Sequence, residues 1–105
     1  MKDRTIDKRI HRLLEKLAEN PRDEETRLAL GKLYFLGSHF HDAVKCYQEL
    51  LELNPANVSA YYNLGVAYLA QKKNEEARAA FQRILELDPN NEAAQNELDK
   101  LVSFP

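Results

Sequence analysis

The sequence predicts an all-α protein, a solenoid of antiparallel helix pairs with six helices in 105 residues. A repeat is the first observation: the segment Glu49 to Asn57 (ELLELNPAN) returns 34 residues later as Arg83 to Asn91 (RILELDPNN). Helical spacing of apolar residues within each repeat is the second. A composition with only 3 Gly and 4 Pro, which suits ordered helices, is the third.

The repeat defines two whole units, residues 24–57 and 58–91. Ten positions are identical between them: Leu30/Leu64, Gly31/Gly65, Tyr34/Tyr68, Ala43/Ala77, Gln48/Gln82, Leu51/Leu85, Glu52/Glu86, Leu53/Leu87, Pro55/Pro89 and Asn57/Asn91. Leu14 to Asp23 resembles the end of such a unit, and Asn90 to Leu101 occupies the frame of its beginning. Residues 1–23 are therefore assigned to an N-terminal half-repeat and residues 92–105 to a C-terminal cap. We therefore expect a single domain of a half-repeat helix, two repeats and a C-terminal capping helix. Met1 at the start favours a small independent chain.

Each unit is predicted to form two helices, and the boundaries carry recognisable signals. Helices are expected at about 3–19, 24–37, 57–71 and 74–87, together with the second helix of the first unit and the C-terminal capping helix. Asp23 and Asn74 each precede a pair of glutamates and are predicted to be N-caps. Pro55 and Pro89 disfavour helical geometry at the preceding residue and should end the second helix of each unit.

This pattern resembles the tetratricopeptide repeat, a 34-residue helix–turn–helix unit. The residues that carry the resemblance are Leu30, Gly31, Tyr34, Ala43, Tyr47 and Pro55 in the first unit and Tyr61, Leu64, Gly65, Tyr68, Ala77, Phe81 and Pro89 in the second. Arg27 departs from the large aromatic that the family prefers. Ser38 and Lys72 replace its glycine between helices, with Gly37 expected to compensate in the first unit and positive φ expected at Lys72. The resemblance implies a right-handed superhelix that binds protein partners without catalysis.

The first helix of each unit has a second apolar face, which the resemblance places in the concave groove. We interpret this face as the site for a partner's helix or extended peptide. An alternative is that it is simply core. The candidate partner-binding residues are Leu28, Ala29, Lys32, Phe35, Leu36, Tyr62, Asn63, Val66, Leu69 and Ala70.

One subgroup of the family binds the C-terminal carboxylate of chaperones through a clamp of Lys, Asn, Asn, Lys and Arg. In this sequence the clamp positions hold Leu28, Lys32, Asn63, Ala93 and Glu97. Only Asn63 matches the pattern, and Glu97 would repel an incoming carboxylate. The sequence therefore argues against this mode of binding.

No catalytic or metal-binding constellation stands out, and neither an enzyme nor a cofactor is expected. Cys46 is expected to be a small buried thiol. His39 and His41 are assigned to the turn between two helices, and too few other ligand residues accompany them for a zinc site. His11 is expected at the surface of the first helix.

Charge limits the class of partner. The net charge is −2, and no run of about 18 apolar residues occurs, so neither nucleic-acid binding nor membrane insertion is expected. With no secretory signal visible, a cytoplasmic location is expected. Basic residues including Arg9 and Arg12 nevertheless gather in the first helix, while acids and the apolar Leu98, Leu101, Val102 and Phe104 gather near the end. Head-to-tail self-assembly as a structural scaffold is thus the alternative function, although polar caps on a monomer are favoured.

Overall fold

The computed structural model describes residues 4–102, which form six α-helices and no strand. The helices are α1 (Arg4–Glu19), α2 (Glu24–Leu36), α3 (Phe40–Leu53), α4 (Val58–Ala70), α5 (Asn74–Leu87) and α6 (Glu92–Val102). Each helix packs on the next along the chain, and α2 also contacts α4. Met1 and Phe104, named above, lie outside the described residues.

The 34-residue period reappears in the helix boundaries. Shifting α2 by 34 residues gives the bounds of α4, and shifting α3 gives those of α5. The second helices end at Leu53 and Leu87, two residues before Pro55 and Pro89, as expected. We refer below to positions that differ by 34 or 68 residues as equivalent.

The same N-cap chemistry starts all three first helices. Asp23 accepts a hydrogen bond from the Thr26 amide, Asn57 from the Ala60 amide, and Asn91 from the Ala94 amide. These short polar side chains satisfy amide groups that the first helical turn leaves without a partner. The predicted cap at Asp23 is therefore confirmed.

The turns inside the units correct three expectations. Lys73, not Asn74, is the N-cap residue of α5, and its side chain makes no capping hydrogen bond; Asn74 is already helical. Lys72 has positive φ as predicted, at 61°, but in the first unit Ser38 takes this conformation (φ 63°) while Gly37 stays at −83°. His41 lies inside α3 rather than in the turn, because the helix already begins at Phe40.

The core runs through the stack as three clusters, each built from consecutive helices. Ile10, Leu17, Leu30 and Leu33 join α1 to α2, and Cys46 of α3 completes that cluster. The middle cluster centres on Ala43, Val44, Tyr47, Leu64 and Ala67. The last cluster places Ala77, Phe81, Ile84 and Ala94 together, with Leu98 and Leu101 of α6 packed against them. Since no helix pair buries its apolar surface alone, the fold depends on this stacking.

Two glycines set the closest approach within the units. A Cβ atom on Gly31 would lie 2.5 Å from the ring of Tyr47, and one on Gly65 would lie 2.6 Å from the ring of Phe81. Both rings are buried completely or nearly so. The first and second helices of each unit can therefore pack this tightly only with glycine at these positions.

Candidate partner-binding surface

The predicted site residues all lie on α2 and α4, two helices that contact each other. We call this set the first-helix face: Leu28, Ala29, Lys32, Phe35, Leu36, Tyr62, Asn63, Val66, Leu69 and Ala70. Lys32, Leu36 and Ala70 are exposed, and the other seven are half-buried. The face therefore combines accessible side chains with side chains that also belong to the protein's own packing.

On α2, the apolar residues divide between core and surface. Leu28 and Phe35 pack against the middle core cluster, and the ring of Phe35 meets that of Phe40 edge-on at 5.2 Å between centroids. Leu36 instead leaves 66% of its surface exposed. Such exposure of a leucine beside a half-buried phenylalanine is an apolar edge that a partner can cover.

On α4, Tyr62, Val66 and Leu69 pack against the last core cluster. The ring of Tyr62 lies 5.8 Å from that of Phe81 in an edge-on arrangement. The amide of Asn63 donates a 2.7 Å hydrogen bond to the Ser59 carbonyl one turn earlier. These residues therefore hold fixed positions, so that any surface they present is organised before a partner arrives.

A cavity of about 370 Å³ opens between α1 and α2 at one end of this face. Its lining combines three basic residues with four apolar ones: Arg9, Arg12, Lys32, Leu13, Ala29, Leu33 and Leu36. Ala29, Lys32 and Leu36 belong to the first-helix face, whereas the sequence distinguishes Arg9 and Arg12 of α1 only by their charge. Arg9 and Arg12 lie beside the face because α1 packs on α2. The 34-residue shift, which makes α1 equivalent to the second helices, is the one feature of the sequence that indicates this placement.

The clamp positions lack the chemistry for gripping a carboxylate. Leu28 packs against core, Ala93 carries no polar group, and the carboxylate of Glu97 accepts a 3.3 Å hydrogen bond from the Lys100 ammonium. Lys32 is the single cation among the five positions. An anionic terminus would meet one positive charge and one negative charge there, which gives little net attraction.

The cysteine is buried in the core, and the three histidines lie at the surface. Cys46 is buried as expected, and burial raises the pKa of its thiol to about 11, which keeps it protonated and a poor nucleophile. His11 is exposed as expected and lies 3.0 Å from Glu15. His39 and His41 are exposed too. Residues 4–102 contain no group of three or more His, Cys, Asp or Glu side chains placed to hold a metal ion.

Known proteins with the same architecture identify the class of fold. The family model for the tetratricopeptide repeat matches residues 28–92. Comparison with the curated proteins gives no match. Within the stretch from Arg4 to Val102, no helix is both long and apolar enough to cross a bilayer.

Solved structures agree with the family match. The first TPR of Spaghetti (RPAP3), bound to the HSP90 peptide SRMEEVD, is 31% identical over 93% of this chain and 78% of its own, with a TM-score of 0.86. The first TPR domain of human RPAP3 is also 31% identical, over 92% of this chain and 76% of its own, with a TM-score of 0.85. A MamA protein is 28% identical over 92% of this chain and 53% of its own, with a TM-score of 0.82. The predicted all-α solenoid of helix pairs is confirmed.

Proposed function

The chain belongs to the tetratricopeptide repeat family, whose domains are protein-interaction modules, and we propose that it is a non-catalytic adaptor that binds a segment of a partner protein on the first-helix face. The observation that carries the proposal is the contact between α2 and α4, because it brings the two helices that carry these apolar residues side by side. Leu36 and Ala70, at equivalent positions, are exposed on the first-helix face. Exposed apolar residues on neighbouring helices are typical of binding surfaces.

We propose that the segment is recognised mainly through apolar side chains. The structures of RPAP3 domains include complexes with the peptides SRMEEVD and SGPTIEEVD, which end in acidic residues. In this chain the clamp positions hold Leu28, Ala93 and Glu97 where a cationic or amide donor would be needed. Acidic C-terminal peptides should therefore bind weakly, while Lys32, the one cation of the first-helix face, attracts an acidic residue within an otherwise apolar segment.

Selection from a library of random peptides displayed on phage tests the proposal, since such a library samples apolar and charged segments alike. The parent chain serves as bait, and the affinity of each enriched peptide is then measured for variants at exposed positions of the face. Lys32→Glu and Ala70→Arg should each weaken binding by at least about tenfold, because one reverses a charge and the other fills the surface. These positions are preferable to Phe35 and Tyr62, whose rings also pack on Phe40 and Phe81.

Matched substitutions on the second helices provide the control. Lys45→Glu on α3 and Ala79→Arg on α5 make the same chemical changes at exposed positions outside the face. They should leave affinity unchanged. The proposal fails if no peptide is enriched, or if the peptides bind the face variants and the control variants equally well.

A further inference from the structure

The two ends of the described chain are complementary halves of one helix pair. By the 34-residue frame, α1 is a second helix with no first helix beside it within residues 4–102, and α6 is a first helix with no second helix beside it there. We propose that a second copy of this chain completes the pair, with α6 of one copy lying in the α1–α2 cavity of the next. This goes beyond the proposed function, which concerns a different partner on the α2–α4 surface.

The interior of the molecule shows what normally covers a surface like this cavity. Arg9, Leu13 and Leu33 in the cavity are equivalent to Ala43, Tyr47 and Ala67. In the interior these three are almost completely buried, and α2 packs over them through Leu28 and Phe35. A first helix is therefore the element that covers this surface in the interior, and α6 is the first helix at the other end of the described chain.

The charges of the two end helices are opposite. Among its described residues, α1 has five basic side chains (Arg4, Lys8, Arg9, Arg12 and Lys16) and three acidic ones (Asp7, Glu15 and Glu19), whereas α6 has three acidic side chains (Glu92, Glu97 and Asp99) and one basic one (Lys100). Arg9 and Arg12 make no ion pair with the described residues, while Lys100 pairs with Glu97 and His11 with Glu15. Opposite charge across the contact favours this head-to-tail orientation over head-to-head or tail-to-tail contact.

The point of closest approach in a helix pair has different residues at the two ends of the molecule from those inside the units, and the differences on the two helices match. Inside the units this point is built from a glycine and an aromatic ring, Gly31 with Tyr47 and Gly65 with Phe81, and a completely buried alanine, Ala43 or Ala77, lies one turn before the ring. Between two copies the equivalent residues are Asp99 of α6 with Arg9 and Leu13 of α1.

Leu13 is shorter than the tyrosine or phenylalanine at its equivalent positions, which leaves room for the larger Asp99. Asp99 accepts a hydrogen bond from Gln95 within α6. A carboxylate accepts several hydrogen bonds at once, so Asp99 can also receive a guanidinium such as that of Arg9. The positions that hold glycine and alanine in the interior thus hold an acid and a base at the contact between copies.

Such a contact is heterologous, since different surfaces of the two copies meet. It closes into a ring or extends as a filament, depending on the rotation between successive copies. It would also cover Val102, which leaves 78% of its surface exposed, and Leu36 in the cavity. Assembly would therefore occupy the α2 end of the first-helix face and compete with a partner peptide there.

Sedimentation equilibrium of the 105-residue chain, from micromolar to millimolar concentration, measures the association. The average mass should rise with concentration, and the rise should be smaller at high salt because the contact is partly ionic. A chain that stays monomeric at millimolar concentration in low salt would overturn the proposal.

Charge reversal at either end should produce a monomer. One variant carries Arg9→Glu and Arg12→Glu, and the other carries Asp99→Arg; all three positions are exposed and lie outside the first-helix face. Each variant alone brings like charges together at every contact. An equimolar mixture of the two should associate again, because each contact between the unlike variants pairs opposite charges.

The control reverses two other basic residues of α1 that do not line the cavity, Lys8→Glu and Lys16→Glu, and changes the net charge by the same amount. It should associate like the parent. The proposal is wrong if the control also becomes monomeric, if the end variants associate like the parent, or if their mixture stays monomeric. None of these results depends on peptide binding, so failure here is distinct from failure of the proposed function.

Discussion

The two central units have helix boundaries at equivalent positions, but they form one helix-to-helix contact with different side chains. In the unit 24–57, Arg27 donates a 2.8 Å hydrogen bond to the Pro21 carbonyl and lies 3.6 Å from the carboxylate of Glu49. In the unit 58–91 the equivalent residues are Tyr61 and Arg83. Hydrogen bonding to Tyr61, and then to Glu86, raises the pKa of the Arg83 guanidinium.

The difference shows that this position needs a large side chain with a polar end more than it needs an aromatic ring. Only 15% of the Arg27 side chain is exposed, so its aliphatic stem fills space that the tyrosine ring fills in the other unit. The guanidinium of Arg27 reaches Glu49 on α3, and the hydroxyl of Tyr61 reaches Arg83 on α5. Arg27, which departs from the family pattern, thus preserves the contact with the charges rearranged.

The two units share a glycine at equivalent positions, Gly31 and Gly65. Substituting these glycines is the test of the equivalence of the units with the largest expected effect on stability. We expect Gly31→Ala and Gly65→Ala each to lower the free energy of unfolding by up to about 2 kcal/mol, because the added methyl group overlaps a buried ring. The overlap costs about 1–3 kcal/mol, of which the preference of alanine for a helix over glycine offsets roughly 1 kcal/mol. Urea denaturation followed by circular dichroism measures both.

Gly37→Ala is the matched control for the two glycine variants. Its added Cβ would lie 3.0 Å from the exposed His39 side chain, which can move aside. Its effect should stay within about 0.5 kcal/mol. If Gly65→Ala proved as mild as Gly37→Ala, the close contact between α4 and α5 would not constrain that position.

The rearranged contact gives a second, intermediate prediction. Arg27→Tyr with Glu49→Arg transplants the pair of the second unit into the first. Each single variant should destabilise the protein, since Arg27→Tyr leaves Glu49 without its cation and Glu49→Arg places two guanidinium groups together. The double variant should be more stable than the sum of the single effects by about 1 kcal/mol.

A double-mutant cycle from chemical denaturation gives this coupling energy. Tyr61→Phe in the second unit is the complementary measurement, because it removes the hydroxyl that bonds Arg83 and keeps the ring. Strict additivity in the cycle would show that the two units do not share a contact chemistry at these positions.

The smallest expected effect concerns the helix caps, where the units differ by one ionisable group. Hydrogen bonds from the Thr26 amide and hydroxyl lower the pKa of Asp23 below its ordinary value of 3.8, whereas Asn57 at the equivalent position does not titrate. Because the folded-state pKa is the lower one, the ionised cap contributes stability above the ordinary value. That contribution is lost as the pH falls through the lowered pKa.

Thermal unfolding of the parent and of Asp23→Asn should therefore differ more near neutral pH than in strong acid. The reverse substitution, Asn57→Asp, should introduce the same acid-sensitive step at the start of α4. A pH-independent difference between the parent and Asp23→Asn would mean that the charge of the cap contributes nothing.

Much of the fold followed from the sequence alone because its determinants are local. The 34-residue period, the helical spacing of residues such as Leu64 and Tyr68, and the prolines after the second helices predicted the helices to within about two residues. The cap at Asp23 depends on Thr26, three residues away.

Tertiary structure decided the features that depend on how the helices pack on one another. Ser38 rather than Gly37 takes the positive φ, at the position equivalent to Lys72 in the other unit. The half-burial of Phe35 and Tyr62 results from their contacts with Phe40 and Phe81 on the following helices. The cavity of Arg9, Leu13 and Leu36 exists because α1 packs against α2 with no first helix over it in residues 4–102. A periodic sequence thus determines which surfaces the helices carry, whereas the order and ends of the stack decide which surfaces stay open.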